Sequence, residues 1–283
     1  MQLKSLIYEL ILNSVYLSNF LIFILIAVYL FKHILKLDSG EKNNLISGAF
    51  GFALSIAVSS LYSGESYGLV KDLLYIWFYS ALSFILLIIG HLITDFIIFH
   101  KVKNIEEIKK GNFSLLIVEV AHFIAIGVVI NSLINNYFSP DINQLKLLLS
   151  IVVIFLFIQF LLVLSILIYK EVLILLKKIN IIELVYKNNI SAGIFLFSNY
   201  IVISFLLASA FSPEKSIITT IIYSFIYFLF STFIIILFKF VVDFILIPDD
   251  NLENIIKDDK HMKAIFIELI TISMIFIYHF LSS

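Results

Sequence analysis

Four ionisable side chains stand at helical spacing inside two long apolar segments of this sequence. Glu119 and His122 are three residues apart, and His91 and Asp95 are four residues apart in the preceding segment. On an α-helix these spacings place each pair on one face. Glu119 follows Asn112 by seven residues, which places its carboxyl group about 10 Å inside the segment. We therefore expect His91, Asp95, Glu119 and His122 to form one polar cluster.

Acids recur at comparable depths in other apolar segments. These further candidates for an ion or proton relay are Glu171, Asp243 and Glu268. A lysine accompanies two of them, since Lys239 lies four residues before Asp243 and Lys170 is adjacent to Glu171. We interpret Lys239–Asp243 and Lys170–Glu171 as self-neutralising pairs. Ionisable groups within apolar segments are costly, so their default interpretation is functional.

Three kinds of chemistry fit Glu119 and His122. Titratable groups within hydrogen-bond reach in a wet cavity could relay protons or cations. A hydrogen-bonded pair could instead lock helix packing, with a neutral histidine. Carboxylate-bridged metal sites also use Glu-x-x-His, but they need a second copy, and Glu268 is followed by Thr271 at that spacing. We therefore predict no metal ligands and no cofactor, and the absence of a recognisable catalytic set argues against an enzyme.

Composition defines the medium that surrounds these groups. Apolar residues make up 61% of the chain and charged residues 14%, and the mean hydropathy is +1.09. One soluble core cannot bury that much apolar surface, whereas apolar runs of about 20 residues span a bilayer as helices. The sequence predicts an all-α integral membrane protein with eight transmembrane helices at 6–36, 45–62, 70–101, 113–136, 145–176, 190–211, 216–247 and 263–281.

A short motif recurs in four of the loops, between a long apolar segment and a shorter one. It consists of an acid, three residues, lysine, one residue and then Asn or Asp. The copies are Asp38, Lys42 and Asn44; Glu106, Lys110 and Asn112; Glu183, Lys187 and Asn189; and Glu253, Lys257 and Asp259. Acid and lysine at i, i+4 support a helical extension, and Asn or Asp can cap the returning helix. A surface that recognises a partner is the alternative interpretation.

The loop segments EKNNLISGAFGFALSIAVSS (41–60) and YKNNISAGIFLFSNYIVIS (186–204) resemble those of the YjfL-like family. These are four-pass bacterial inner-membrane proteins, catalogued as a domain of unknown function. The resemblance implies two tandem four-helix units, 1–137 and 138–283, and no established reaction. Each motif loop joins a long segment to a shorter one, and every such unit begins and ends on the same side, so we expect four parallel two-helix repeats.

Lysines concentrate in and near four loops, 37–44, 102–112, 178–189 and 248–261. This distribution predicts that the four loops are cytoplasmic and that both termini lie outside. The membrane would be the inner membrane of a bacterium. A net charge of −1 excludes nucleic acid as the expected partner. Two functions remain open: a small ion or proton channel or carrier that uses the ionisable cluster, and a non-transporting scaffold for envelope maintenance. The scaffold's partners, besides the lipid bilayer, would be a peripheral cytoplasmic protein or anionic lipid.

Overall fold

Every element of the described chain is helical. The computed structural model describes residues 2–62, 68–99, 104–137, 144–212, 216–246 and 250–282. The helices are α1 Gln2–Ile34, α2 Glu41–Val58, α3 Leu69–Ile97, α4 Asn104–Lys110, α5 Phe113–Tyr137, α6 Gln144–Lys177, α7 Ile181–Tyr186, α8 Ile190–Ala208, α9 Ile217–Leu246, α10 Leu252–Lys257 and α11 His261–Ser282. A 3₁₀ turn, Ser59–Tyr62, follows α2.

Seven of the described helices are long and apolar enough to cross a membrane: α1, α2, α3, α5, α6, α8 and α9. Within lipid a helix satisfies its backbone hydrogen bonds internally, which is why these continuous apolar runs become helices. The prediction of an all-α integral membrane protein is therefore confirmed. The eighth predicted span corresponds to α11, which has 22 residues but is not among these seven helices.

The loops contain separate short helices, α4, α7 and α10, and the expected helical extensions of the long segments are wrong. Lys178, with φ of 53°, lies between α6 and α7, and Asn188, with φ of 61°, lies between α7 and α8. Gly111 and Asp259 take similar left-handed conformations after α4 and α10. Such a residue ends a helix because the carbonyls of its last turn can then be satisfied.

The eight longest described helices form two rows. The shorter ones, α2, α5, α8 and α11, pack side by side in that order, and the longer ones, α1, α3, α6 and α9, pack in a second row. Each of α3, α6 and α9 also contacts the shorter helix before it and the one after it. The two rows therefore form two layers, and α5 and α8 are enclosed on most sides.

Close approach within the shorter row depends on glycine. A Cβ atom on Gly127 of α5 would lie 2.5 Å from the carbonyl oxygen of Ala53 in α2. A Cβ atom on Gly193 of α8 would lie 2.8 Å from the carbonyl oxygen of Ser114 in α5. Small residues let membrane helices approach closely, and here they bring α2, α5 and α8 nearly backbone to backbone.

Candidate functional site

The centre of the candidate site is an ion pair between α3 and α5. His91 Nδ1 lies 2.5 Å from Glu119 Oε1, and the two side chains are 2% and 1% exposed. Phe123, one residue after His122 on α5, stacks on the His91 ring with centroids 5.4 Å apart. The pair is thus enclosed by protein, as a charged pair at membrane depth requires.

Asp95 connects this pair to the side of the molecule that carries α4, α7 and α10, which we call the loop side. Its Oδ2 atom lies 3.7 Å from His91 Nε2, and its side chain is 26% exposed. Asn104, buried at the start of α4, donates from Nδ2 to Asp95 Oδ1 at 2.5 Å. The polar groups therefore lead from a buried pair to a partly exposed carboxylate.

His122 extends the cluster toward α6 and α8. Its Nε2 atom lies 2.8 Å from Thr94 Oγ1 and 3.1 Å from Gln159 Nε2. Gln159 also donates to the carbonyl oxygen of Gly90 at 3.1 Å, and a Cβ atom at Gly90 would lie 3.3 Å from Gln159 Oε1. The Tyr200 ring lies with its centroid 5.2 Å from that of His122. The structure thus brings together all four residues that helical spacing grouped, and adds partners from two other helices.

A second buried ion pair joins α9 and α11. Lys239 Nζ lies 2.9 Å from Glu268 Oε1, and the two side chains are 2% and 3% exposed. The ammonium group also donates to Asn199 Oδ1 at 3.2 Å and Tyr169 Oη at 3.3 Å. The expected Lys239–Asp243 pair cannot be compared, because the side chain of Asp243 lies outside the described residues; the described partner of Lys239 is Glu268, on another helix.

Glu171 does not belong to either cluster. Its side chain is 59% exposed and forms a 3.0 Å ion pair with Lys170, as the sequence predicted. Glu171 faces outward near the end of α6, so the structure does not bring this relay candidate together with Asp95.

The loop motif forms its acid–lysine pair in two of four copies. Lys187 lies 2.7 Å from Glu183, and Lys257 lies 2.6 Å from Glu253. In the second copy Lys110 pairs with Glu107 at 2.6 Å rather than with the motif acid, Glu106. In the first copy Asp38 accepts from Asn43, and Lys42 lies over the Phe113 ring at 4.8 Å. The predicted pairing is corrected for those two copies.

Asn112 both caps its own helix and binds the next loop. The Leu115 amide donates to Asn112 Oδ1 at 2.8 Å, and Asn112 Nδ2 donates to the Val185 carbonyl at 2.9 Å. A second hydrogen bond joins the same two loops, because Asn188 Oδ1 accepts from the Phe113 amide at 2.7 Å. The motif asparagine is therefore a cap that also joins neighbouring loops.

Asn189 repeats this arrangement one loop further on. Ala192 donates to its Oδ1 at 2.8 Å, and its Nδ2 donates to the Ile256 carbonyl at 2.7 Å. Asp259 was predicted to cap the helix that follows it, α11. Instead its carboxylate accepts from the Ser191 amide at 2.7 Å, in the first turn of α8. Asn44 is also not a cap, because it lies inside α2 and accepts from Lys32. The predicted capping by the last residue of the motif is thus found at the two central loops and not at the outer two.

Three residues of the first cluster could also bind a metal ion. His91, Glu119 and His122 each offer one ligand atom, and these atoms lie within 4.8 Å of one another. Sequence reasoning missed this set because it required a second Glu-x-x-His, whereas the third ligand comes from a neighbouring helix.

A two-layer bundle of apolar helices that encloses ionisable clusters defines a polytopic membrane protein. The model of the family described as Domain of Unknown Function (DUF350) matches this chain twice, at residues 68–211 and 142–281. The chain belongs to the DUF350 family, and the overlapping matches confirm an internal repeat.

A curated relative supports the same assignment. A "UPF0719 transmembrane protein" of Aquifex aeolicus (strain VF5) is 30% identical over 212 residues, covering 73% of this chain and 74% of that protein. No solved structure matches the chain. A membrane family of unknown function is thus confirmed, while the narrower YjfL-like resemblance stays a prediction.

Proposed function

We propose that this chain is a membrane carrier that takes up and releases a cation, a proton in the simplest case, at the His91–Glu119 pair. One observation carries the proposal: the enclosed pair is joined, at 3.7 Å from His91, to the partly exposed Asp95. An imidazole between two carboxylates can hold one proton and pass it on. Asp95 supplies a route from the loop side to a pair that solvent does not reach.

A carrier fits this environment better than an open channel. Beyond Phe123, the buried face of α5 continues with apolar side chains, namely Ile126, Val129, Ile130 and Leu133. A permanently wet path would need polar lining on both sides of Glu119, whereas these residues support access from one side at a time. Release to the other side would then require a change in helix packing.

A proton flux assay in liposomes tests the proposal. We expect the wild-type chain to dissipate an imposed pH gradient and Glu119→Gln to abolish the flux, because glutamine keeps the shape of the side chain but cannot ionise. Glu171→Gln is the matched control and should conduct normally, since Glu171 lies on the exposed surface. A folded Glu119→Gln protein with full flux, or a wild-type chain with none, would reject a proton carrier.

The membrane layout belongs to the same proposal. With α11 as an eighth span, both termini would lie on one side of the membrane, and the lysine-rich loops favour the outside for the termini and the cytoplasm of a bacterium for the loop side. Four parallel hairpin repeats, grouped as units 1–137 and 138–283, are supported by the repeated contacts of Asn112 and Asn189 with the loop that follows each of them.

The scaffold alternative has weaker support. It relies on lysine-rich loops that attract anionic lipid or a peripheral protein. Lys187 and Lys257, however, lie within 2.7 Å of Glu183 and Glu253 on the same short helices. These ion pairs neutralise positive charge on the surface that a scaffold would use to attract anionic lipid or a peripheral protein.

A further inference from the structure

Three buried atoms of the first cluster that could bind a metal ion lack well-directed hydrogen bonds. His122 Nδ1 has no hydrogen-bond partner within the described structure. His91 Nδ1 and Glu119 Oε1 are 2.5 Å apart, but their contact lacks hydrogen-bond geometry. All three residues are at most 2% exposed. Buried polar atoms in a native protein are normally satisfied, so the unpartnered His122 Nδ1, in the same cluster as the close His91–Glu119 contact, points to a missing ligand.

The other ring nitrogen of each histidine is already engaged. His91 Nε2 faces Asp95 Oδ2 at 3.7 Å, and His122 Nε2 faces Thr94 Oγ1 at 2.8 Å. Metal-bound histidines characteristically direct their second nitrogen to a carboxylate or another acceptor, which fixes the tautomer. His122 Nδ1 is thus oriented as a potential ligand, and His91 Nδ1 would become one on giving up its present contact with Glu119.

A divalent cation could balance the charge of this cluster without any bound proton. The cluster contains two carboxylates, Glu119 and Asp95, and a proton on His91 alone would neutralise only one of them. A divalent cation that displaces this proton balances both carboxylates while His91 and His122 stay neutral, the form in which imidazole binds metals. Burial of a net charge is costly, so the neutral arrangement suits this enclosed site.

We infer that His91, Glu119 and His122 form a binding site for a divalent transition-metal ion of the Zn²⁺ class. This inference rests on the proposed function, because it names the cation that the carrier exchanges. Two imidazole nitrogens and one carboxylate form a ligand set typical of zinc, with a fourth position left open. Tetrahedral coordination would separate His91 Nδ1 from Glu119 Oε1 by about 3.3 Å, so the carboxylate must move by less than 1 Å.

Equilibrium metal binding by the full chain in detergent tests the site. After chelator treatment, we expect one Zn²⁺ per chain by elemental analysis, and visible absorption of bound Co²⁺ typical of tetrahedral coordination. Glu119→Gln should weaken binding more than about 100-fold, and Asp95→Asn, which changes only an orienting group, by about 10–100-fold. The partly exposed Asp95 keeps the test valid if Glu119→Gln fails to fold.

Two matched controls separate this site from general histidine or carboxylate binding. His33→Asn alters an exposed imidazole and Glu171→Gln an exposed carboxylate outside both clusters, so both should bind Zn²⁺ like the wild type. No stoichiometric binding by the folded wild type, or equal binding by Asp95→Asn, would overturn the site. Proton flux in chelator-treated liposomes without Zn²⁺ binding would reject the metal site and keep the carrier. Stoichiometric binding without flux of protons or Zn²⁺ would keep the metal site and reject the carrier.

Discussion

Asn199 and Tyr200 are adjacent on α8, yet they contribute to different buried clusters. The Tyr200 ring lies 5.2 Å from the His122 ring, whereas Asn199 Oδ1 lies 3.2 Å from Lys239 Nζ. Successive residues point about 100° apart around a helix, so α8 presents one polar residue to each cluster. The helix α6 does the same through Gln159 and Tyr169. The two clusters therefore share two helices, and movement of either helix would affect both.

The pair of Lys239 and Glu268 should be sensitive to loss of one partner. Lys239→Met leaves a buried carboxylate without its cation, which typically costs about 3–5 kcal/mol. We expect a large fall in the thermal unfolding temperature in detergent, and partial recovery in the double variant Lys239→Met, Glu268→Leu.

The exposed pair provides the comparison for this prediction. Lys170→Met removes an ion pair whose lysine and glutamate are 26% and 59% exposed. Exposed pairs contribute about 0–1 kcal/mol, so this variant should melt close to the wild type. Equal effects of Lys239→Met and Lys170→Met would contradict the assignment of the buried pair.

The close approach of α2 and α5 predicts a strong effect of one methyl group. Gly127→Ala would bring Cβ to 2.5 Å from a backbone carbonyl of Ala53, so the helices must separate. We expect destabilisation of about 1–3 kcal/mol, as for overpacked cores. Gly48→Ala in α2 is the matched control, because nothing lies within 4 Å of its Cβ position. Thermal unfolding should show Gly48→Ala neutral or stabilised, and the reverse order would refute the packing.

Asn112 should contribute more to the free energy of unfolding than an ordinary helix cap does. Asn112→Ala removes the cap on α5, typically about 1 kcal/mol, and also the side-chain hydrogen bonds that join Asn112 to the Val185 and Tyr186 carbonyls. We expect a loss of about 2–3 kcal/mol and faster amide hydrogen exchange in α7. Asn44→Ala, an exposed residue inside α2, should have little effect on either measurement.

The sequence predicted local relationships better than contacts between repeats. Spacing along two helices sufficed to group His91, Asp95, Glu119 and His122, because the residues of each pair share a helix face. It could not show that Lys239 faces Glu268, since that contact depends on how α9 and α11 rotate against each other. The contacts of Gln159 and Tyr200 with His122 could not be predicted for the same reason, since their helices come later in the chain.

Acid should remove a stabilising contact at the start of α10. Asp250 accepts from Lys263 at 2.7 Å and Lys260 at 3.0 Å, and these lysines hold the pKa of its carboxyl well below the usual value. A lowered pKa in the folded state gives stability that is present above the unfolded pKa, about 3.9, and is lost as pH falls below it.

The matching variant for this contact is Asp250→Asn. It should melt lower than the wild type near neutral pH, and the difference should shrink below about pH 4. Asp258→Asn, whose side chain is 58% exposed, should differ little from the wild type at either pH. A difference between wild type and Asp250→Asn that is constant with pH would contradict this role.

Orientation in the membrane can be tested directly, because the chain contains no cysteine. Ser39, between α1 and α2, is exposed on the loop side, and Ser216, just before α9, is exposed at the opposite ends of the helices. If the lysine-rich loops are cytoplasmic, an impermeant thiol reagent added to intact cells should modify Ser216→Cys and leave Ser39→Cys unmodified. Both variants should react after the cells are permeabilised, which controls for accessibility. Modification of Ser39→Cys alone in intact cells would reverse the orientation and place the route through Asp95 on the outer side.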